Sequence, residues 1–135
     1  YAINALRNIQ AGDIREFALE KIISSRYPAL YVNILQNNYR EGDEALLTRI
    51  IEKFKDEDVV EALASSYINV YQKNKTQSCQ RPLEALYYKS NCGICRHSIV
   101  NILIDNNVLS DMINNEIQYD CDEDTRALYL RRKEN

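Results

Sequence analysis

The chain has no tryptophan, one histidine and one methionine, and its 135 residues include only three glycines and two prolines. So little turn material argues against an all-β fold, which needs a turn every few residues. The three glycines are isolated, which excludes a glycine-rich phosphate cradle. His97 is the only imidazole and has no serine-nucleophile pattern beside it, so no catalytic triad is marked. No apolar run approaches the roughly 18 residues of a spanning helix, and no signal-peptide pattern opens the chain. A net charge of -3 and a pI near 5.2 argue against a general nucleic-acid binder. Four cysteines without a secretory signal fit reduced thiols in the cytoplasm better than a disulfide framework. The sequence begins at Tyr1 instead of Met, as expected of a chain lacking its native N-terminal segment.

What is present repeats at helical period. In "DVVEALASSYINVY" the apolar stripe is Val60, Leu63, Ala64, Tyr67, Ile68 and Tyr71. "DEALLTRIIEKF" repeats it with Leu46, Leu47, Ile50, Ile51 and Phe54, and "DIREFALEKII" with Ile14, Phe17, Ala18 and Ile22. "VLSDMINNEI" supplies Leu109, Met112, Ile113 and Ile117. This spacing is that of one-sided amphipathic helices. Pro28 and Pro82 stand where a first helical position is expected, and Asp13, Asp43 and Asp56 precede apolar stripes, where carboxylates suit a helix start. The pattern predicts an all-α chain of about eight helices in one domain over residues 1–135, with 72–81 as its longest loop.

Three segments align without gaps: "GDIREFALEKI" from Gly12, "GICRHSIVNIL" from Gly93 and "EDTRALYLRRK" from Glu123. Each has Arg at its fourth position, as Arg15, Arg96 and Arg126, and the last two copies start 30 residues apart. Gly42-Asp43 also lies 30 residues after Gly12-Asp13, with Arg49 out of register. Degenerate repetition of two-helix units is how α-solenoids show themselves in a single sequence.

On these residues the chain resembles the HEAT and armadillo-like helical repeats over most of residues 10–133. The "CGICR" helix start, joined to a later "YDCDEDTR", is similar to uncharacterised bacterial HEAT-like proteins. The resemblance implies an α-α superhelix, a right-handed solenoid of antiparallel helix pairs. It also implies that Arg15, Arg96 and Arg126 form a structural ladder with acidic residues of neighbouring repeats. As exposed pairs these are expected to contribute only about 0–1 kcal/mol each.

"CGIC" is read first as a helix start whose thiols help fill the gap between helix layers. Two other readings compete. Cys79, Cys92, Cys95 and Cys121 are the weak candidates for a zinc set, with His97 as a further possible ligand, but no second close-spaced Cys pair supports them. A redox pair gains from the helix N-terminus, which favours a thiolate, yet a thioredoxin-type site needs a preceding strand and none is visible. No bound metal and no Cys92–Cys95 disulfide are expected under reducing conditions. "DCDED" places Asp120, Asp122 and Asp124 like the opening of a calcium loop, but positions six and twelve hold Thr125 and Arg131 where Gly and Glu are needed. Among ten tyrosines, Tyr31, Tyr67, Tyr71 and Tyr87 fall on helical stripes and read as core, while Tyr39, Tyr88 and Tyr119 are the surface candidates.

These readings predict a non-enzymatic protein–protein interaction module without a cofactor. The second helices would form a concave face across which a protein or peptide lies, with Arg96, His97 and Asn101 as contributors. No nucleic-acid or membrane partner is expected. The alternative comes from the resemblance, because HEAT-like folds include DNA glycosylases acting on alkylated bases. Such an enzyme needs a basic groove for phosphates, which an acidic chain without Trp does not advertise.

Overall fold

A computed structural model of the protein describes residues 2–134. Among them there is no strand. Nine α-helices follow in order: α1 (Ala2–Leu6), α2 (Gly12–Ser24), α3 (Ala29–Val32), α4 (Asp43–Lys53), α5 (Glu57–Lys73), α6 (Gln80–Lys89), α7 (Gly93–Asp105), α8 (Asp111–Glu116) and α9 (Glu123–Glu134). 3-10 turns at Asn33–Gln36, Gln77–Cys79 and Ile117–Tyr119 extend or precede α3, α6 and α8. The expected long loop is therefore short. The α5 stripe carries the helix on to Lys73, and Thr76 starts the next turn by accepting the Ser78 N–H at 3.1 Å.

The ends of the helices follow from the sequence. Asp56 caps α5 by accepting the N–H groups of Asp58 and Val59. Gly42, with φ of +106°, supplies the left-handed turn that enters α4. Asn107 takes a φ of 58° just past α7, where the Val108 N–H reaches the Leu103 carbonyl at 2.9 Å and the Asn107 N–H reaches Ile104 at 3.0 Å. That pair of bonds ends a helix when the residue after its cap accepts the left-handed conformation, which Asn does more readily than most.

Helices two apart in sequence pack on each other: α3 on α5, α4 on α6, α5 on α7 and α7 on α9. The buried core runs between them through Ile22, Leu35, Leu47, Ile51, Leu63, Tyr67, Leu83, Leu86, Ile99 and Leu103. Tyr67 and Tyr71 are fully enclosed, and Tyr87 is nearly so. The Tyr67 hydroxyl donates to the Leu47 carbonyl at 2.5 Å, giving its polar end a partner. Tyr39 is not a free surface group: it is half-buried, edge-on to Tyr71 with ring centroids 5.4 Å apart and hydroxyls 3.3 Å apart. Tyr88 and Tyr119 are exposed, at 53% and 81%. Met112 is 64% exposed, because Ile113 and Ile117 already cover the inward side of that short helix.

Polar links fasten the same neighbours. The Ser66 hydroxyl of α5 donates to the Ala29 carbonyl at the start of α3 at 2.8 Å. The Lys89 ammonium, at the end of α6, donates to the carbonyls of Ile51, Glu52 and Phe54 at 2.7, 2.9 and 2.8 Å. These are the orphan acceptors of the α4 C-terminus, and a cation there also complements the helix dipole. Replacing Lys89 with Met keeps the aliphatic stem and removes the donors. The expected loss is about 1–3 kcal/mol, read as a lower urea midpoint at unchanged m-value. An unchanged midpoint would show that water satisfies those carbonyls equally well.

Candidate functional site

The residues singled out on "CGICRHSIVN" gather where the starts of α7 and α9 meet. Gly93 permits the approach: a Cβ on it would lie 3.2 Å from Asp122 Cβ. Asp122 caps α9, accepting the Thr125 N–H at 2.9 Å and its hydroxyl at 2.8 Å. Thr125 is itself fully buried.

Arg96 leaves α7 and is fully occupied. Its Nε donates to Asp120 Oδ2 at 3.0 Å, Nη2 to Asp120 Oδ1 at 3.3 Å, Nη1 to the Ser90 carbonyl at 3.1 Å, and Nη2 also to Cys121 Sγ at 3.3 Å. Arg15 repeats the arrangement at the start of α2. Its guanidinium donates to the two Asp43 oxygens at 2.7 and 2.6 Å and to the Asn38 carbonyl at 2.7 Å. Arg126 differs, because its Nη1 donates to the Asp120 carbonyl at 2.6 Å and not to a carboxylate. Both ion pairs are largely enclosed: side-chain exposure is 13% and 8% for Arg15 and Asp43, and 16% and 5% for Arg96 and Asp120. The expectation that these pairs are exposed is therefore corrected for Arg15 and Arg96. A group left alone in such a site loses its partner without regaining full hydration.

The acidic run is used up in the same way. Asp120 holds Arg96 and also accepts the Asp122 N–H at 2.8 Å, Asp122 is the α9 cap, and Asp124 is exposed. Burial raises the Asp120 carboxyl, but the Arg96 hydrogen bonds and the Asp122 N–H outweigh it and hold it below its ordinary 3.8. Hydrogen bonds from Thr125 likewise hold Asp122 low.

His97 Nε2 lies 3.0 Å from Asn101 Nδ2, and with the amide as donor the ring proton sits on Nδ1. Nδ1 is shut off from solvent without a hydrogen-bond partner, 4.0 Å from Asp122 Oδ2. Asn101, one turn on, lines a polar cleft of about 150 Å³ between α5 and α7 with Tyr71, Gln72, Lys75, Ser98 and Asp105. His97 and Asn101 are thus neighbours as expected, whereas Arg96 is committed to Asp120.

The cysteines divide. Cys79 is buried in the core, and burial pushes its thiol up to about 11. Cys121 is exposed, beside Arg96. Cys95 is half-buried against the core, and Cys92 is the N-cap of α7, its Sγ accepting the Cys95 N–H at 3.3 Å. Only Cys79 and Cys95 serve as packing groups. Among the described residues, no three side chains of His, Cys, Asp or Glu converge as metal ligands would.

Sequence reasoning missed Asn38, Lys89 and the acceptor roles of Asp43 and Asp120. Asn38 is buried, with Oδ1 accepting the Ala11 N–H at 3.0 Å and Nδ2 donating to the carbonyls of Ile9 and Ile34 at 2.8 and 3.0 Å. No local signal marks it, because its partners on α2's approach lie 27 and 29 residues away.

Replacing Arg96 with Ala is expected to cost about 1.5–3 kcal/mol, more than a surface pair provides. A loss indistinguishable from zero in urea unfolding would contradict the clasp. A pH series tests the carboxylate. Because folding lowers the Asp120 value, its stabilisation is present above the unfolded value near 3.8 and is lost as pH falls through the folded one. The wild-type protein should therefore lose stability more steeply below about pH 4 than Asp120→Asn does. Parallel acid limbs would refute that linkage.

Comparison with protein-family models, with curated proteins and with solved structures found no match.

Proposed function

We propose that this protein is a non-enzymatic interaction module of HEAT-like, α-solenoid type that binds an extended peptide across a concave face formed by α3, α5 and α7. Stacking of helices two apart in sequence supports the repeat reading. On this reading α3, α5, α7 and α9 are the second helices of successive pairs, forming a right-handed superhelix.

One observation carries the choice of ligand: side-chain amides and a hydroxyl, with one Lys and one Asp beside them, face outward from these helices. Asn33 Oδ1 lies 3.4 Å from Gln36 Nε2 and 3.5 Å from Asn69 Nδ2, which links α3 to α5. Gln72, Ser98 and Asn101 line the cleft between α5 and α7. A side-chain amide both donates and accepts, so it can pair with the N–H and C=O of an extended backbone without requiring a charged partner. A DNA-acting enzyme has less support, because Lys75 is the single cation lining the α5–α7 cleft and Asp105 lies on the same cleft.

Selection from a random peptide library, followed by calorimetric titration of the best peptide, tests the proposal. Asn69→Ala and Asn101→Ala should each weaken binding about five- to tenfold, as loss of a hydrogen-bonding pair does, while leaving the thermal midpoint within a degree or two. Peptides that bind both variants as tightly as the wild type, or a library that enriches nothing, would overturn it.

A further inference from the structure

The caps of three helices define what Cys92 is. Asp56, Ser110 and Asp122 accept the N–H of the residue three places on in α5, α8 and α9, at 3.2, 3.3 and 2.9 Å. α7 has sulfur at the same position, with Cys92 Sγ accepting the Cys95 N–H at 3.3 Å. α5 and α9 each carry two acidic residues in their first turns, and α7 carries none. A thiol therefore stands where α5 and α9 place a carboxylate and α8 a hydroxyl, at a positive helix end that no carboxylate of its own turn neutralises. The second thiol lies on the same first turn, with its own backbone N–H 3.3 Å from Cys92 Sγ.

We infer that Cys92 and Cys95 form a reversible dithiol–disulfide pair, in which Cys92 attacks a small-molecule disulfide and Cys95 resolves the product. In the first step the Cys92 thiolate forms a bond to one sulfur of the disulfide RSSR, whose S–S bond breaks and releases RS⁻. In the second, Cys95 loses its proton to the released thiolate or to water, and its sulfur attacks Cys92 Sγ and expels the second RS⁻. The protein dithiol is oxidised by two electrons and RSSR is reduced to two RSH.

The surroundings divide the two roles. The hydrogen bonds from Cys95, first from its side chain and then from its N–H, lower Cys92, while burial and Glu61 of α5 oppose them. Burial, then the bond to Cys92, pushes Cys95 up to about 11, with Glu61 adding to this and Arg96 opposing it. Cys92, at the cap of α7, is thus placed to attack first, and Cys95, half-buried against the core one turn on, to resolve. The arrangement needs no thioredoxin-like strand; it rests on the first turn of α7 and does not depend on the peptide-binding reading.

The whole chain, equilibrated against graded mixtures of reduced and oxidised glutathione, acid-quenched and mapped by peptide mass spectrometry, tests this. The wild type should accumulate a Cys92–Cys95 disulfide while Cys79 stays reduced. Cys95→Ser should stop the reaction at glutathione on Cys92, formed several-fold faster than on exposed Cys121. Cys92→Ser keeps a good cap, so it should fold, and its Cys95 should react no faster than Cys121. Glutathione on Cys121 alone, or a Cys92–Cys95 dithiol that stays reduced across the whole series, would overturn the inference.

Discussion

The structure depends on a cation reaching across to the end of the helix two places away. Arg15 of α2 holds Asp43 at the start of α4, Lys89 of α6 holds the terminal carbonyls of α4, and Arg96 of α7 holds Asp120 just before α9. Each link satisfies charges or orphan backbone groups that the packing of short helices would otherwise enclose without partners. The carboxylates do double duty. Asp43 also accepts the Arg40 N–H at 2.9 Å and Asp120 the Asp122 N–H at 2.8 Å, so each clasp fixes the connection leading into the next helix as well as the helix itself. Where a clasp acts at one end only, the helices can part at the other: α2 and α4 share Arg15–Asp43 at their starts, and a groove of about 250 Å³ lined by Ile23, Leu46 and Ile50 opens between them.

Much of this was legible in the sequence, and the limits have physical causes. The apolar stripes located the long helices because burial imposes their period, and the fourth-position Arg of three segments marked helix starts. The acceptors were hidden, since Asp43 and Asp120 lie 28 and 24 residues from their arginines and nothing local distinguishes them from other N-terminal carboxylates. Arg126 shares the motif yet meets the Asp120 carbonyl, so a motif residue shows where a helix begins without showing what it will touch. Exposure was misjudged for the same reason: whether an ion pair is enclosed depends on the helix that covers it, not on the residues that form it. Asn38 and Lys89 carried no periodic signal, because their work is to satisfy backbone groups brought close only by the tertiary fold.

The start of α7 shows how one local choice serves two ends. Gly93 lets Asp122 approach, Arg96 ties the region to Asp120, and Cys92 takes the cap position that Asp56 and Asp122 fill on neighbouring helices. The proposed dithiol lies within a turn or so of His97 and about two turns from Asn101, which lines the cleft between α5 and α7. The proposed peptide surface and the dithiol are therefore carried by one helix, whose position is set by the clasp. No helix among the described residues is long and apolar enough to cross a membrane.

The central claim is that enclosed cation–acceptor links between alternate helices hold this fold together. The most direct measurement is a double-mutant cycle on Arg15 and Asp43, using Arg15→Met, Asp43→Asn and the pair in urea unfolding. The account predicts a coupling energy of about 1.5 kcal/mol or more, as found for enclosed, bidentate charge pairs. A coupling within about 0.3 kcal/mol of zero, the additivity of residues that do not interact, would contradict it.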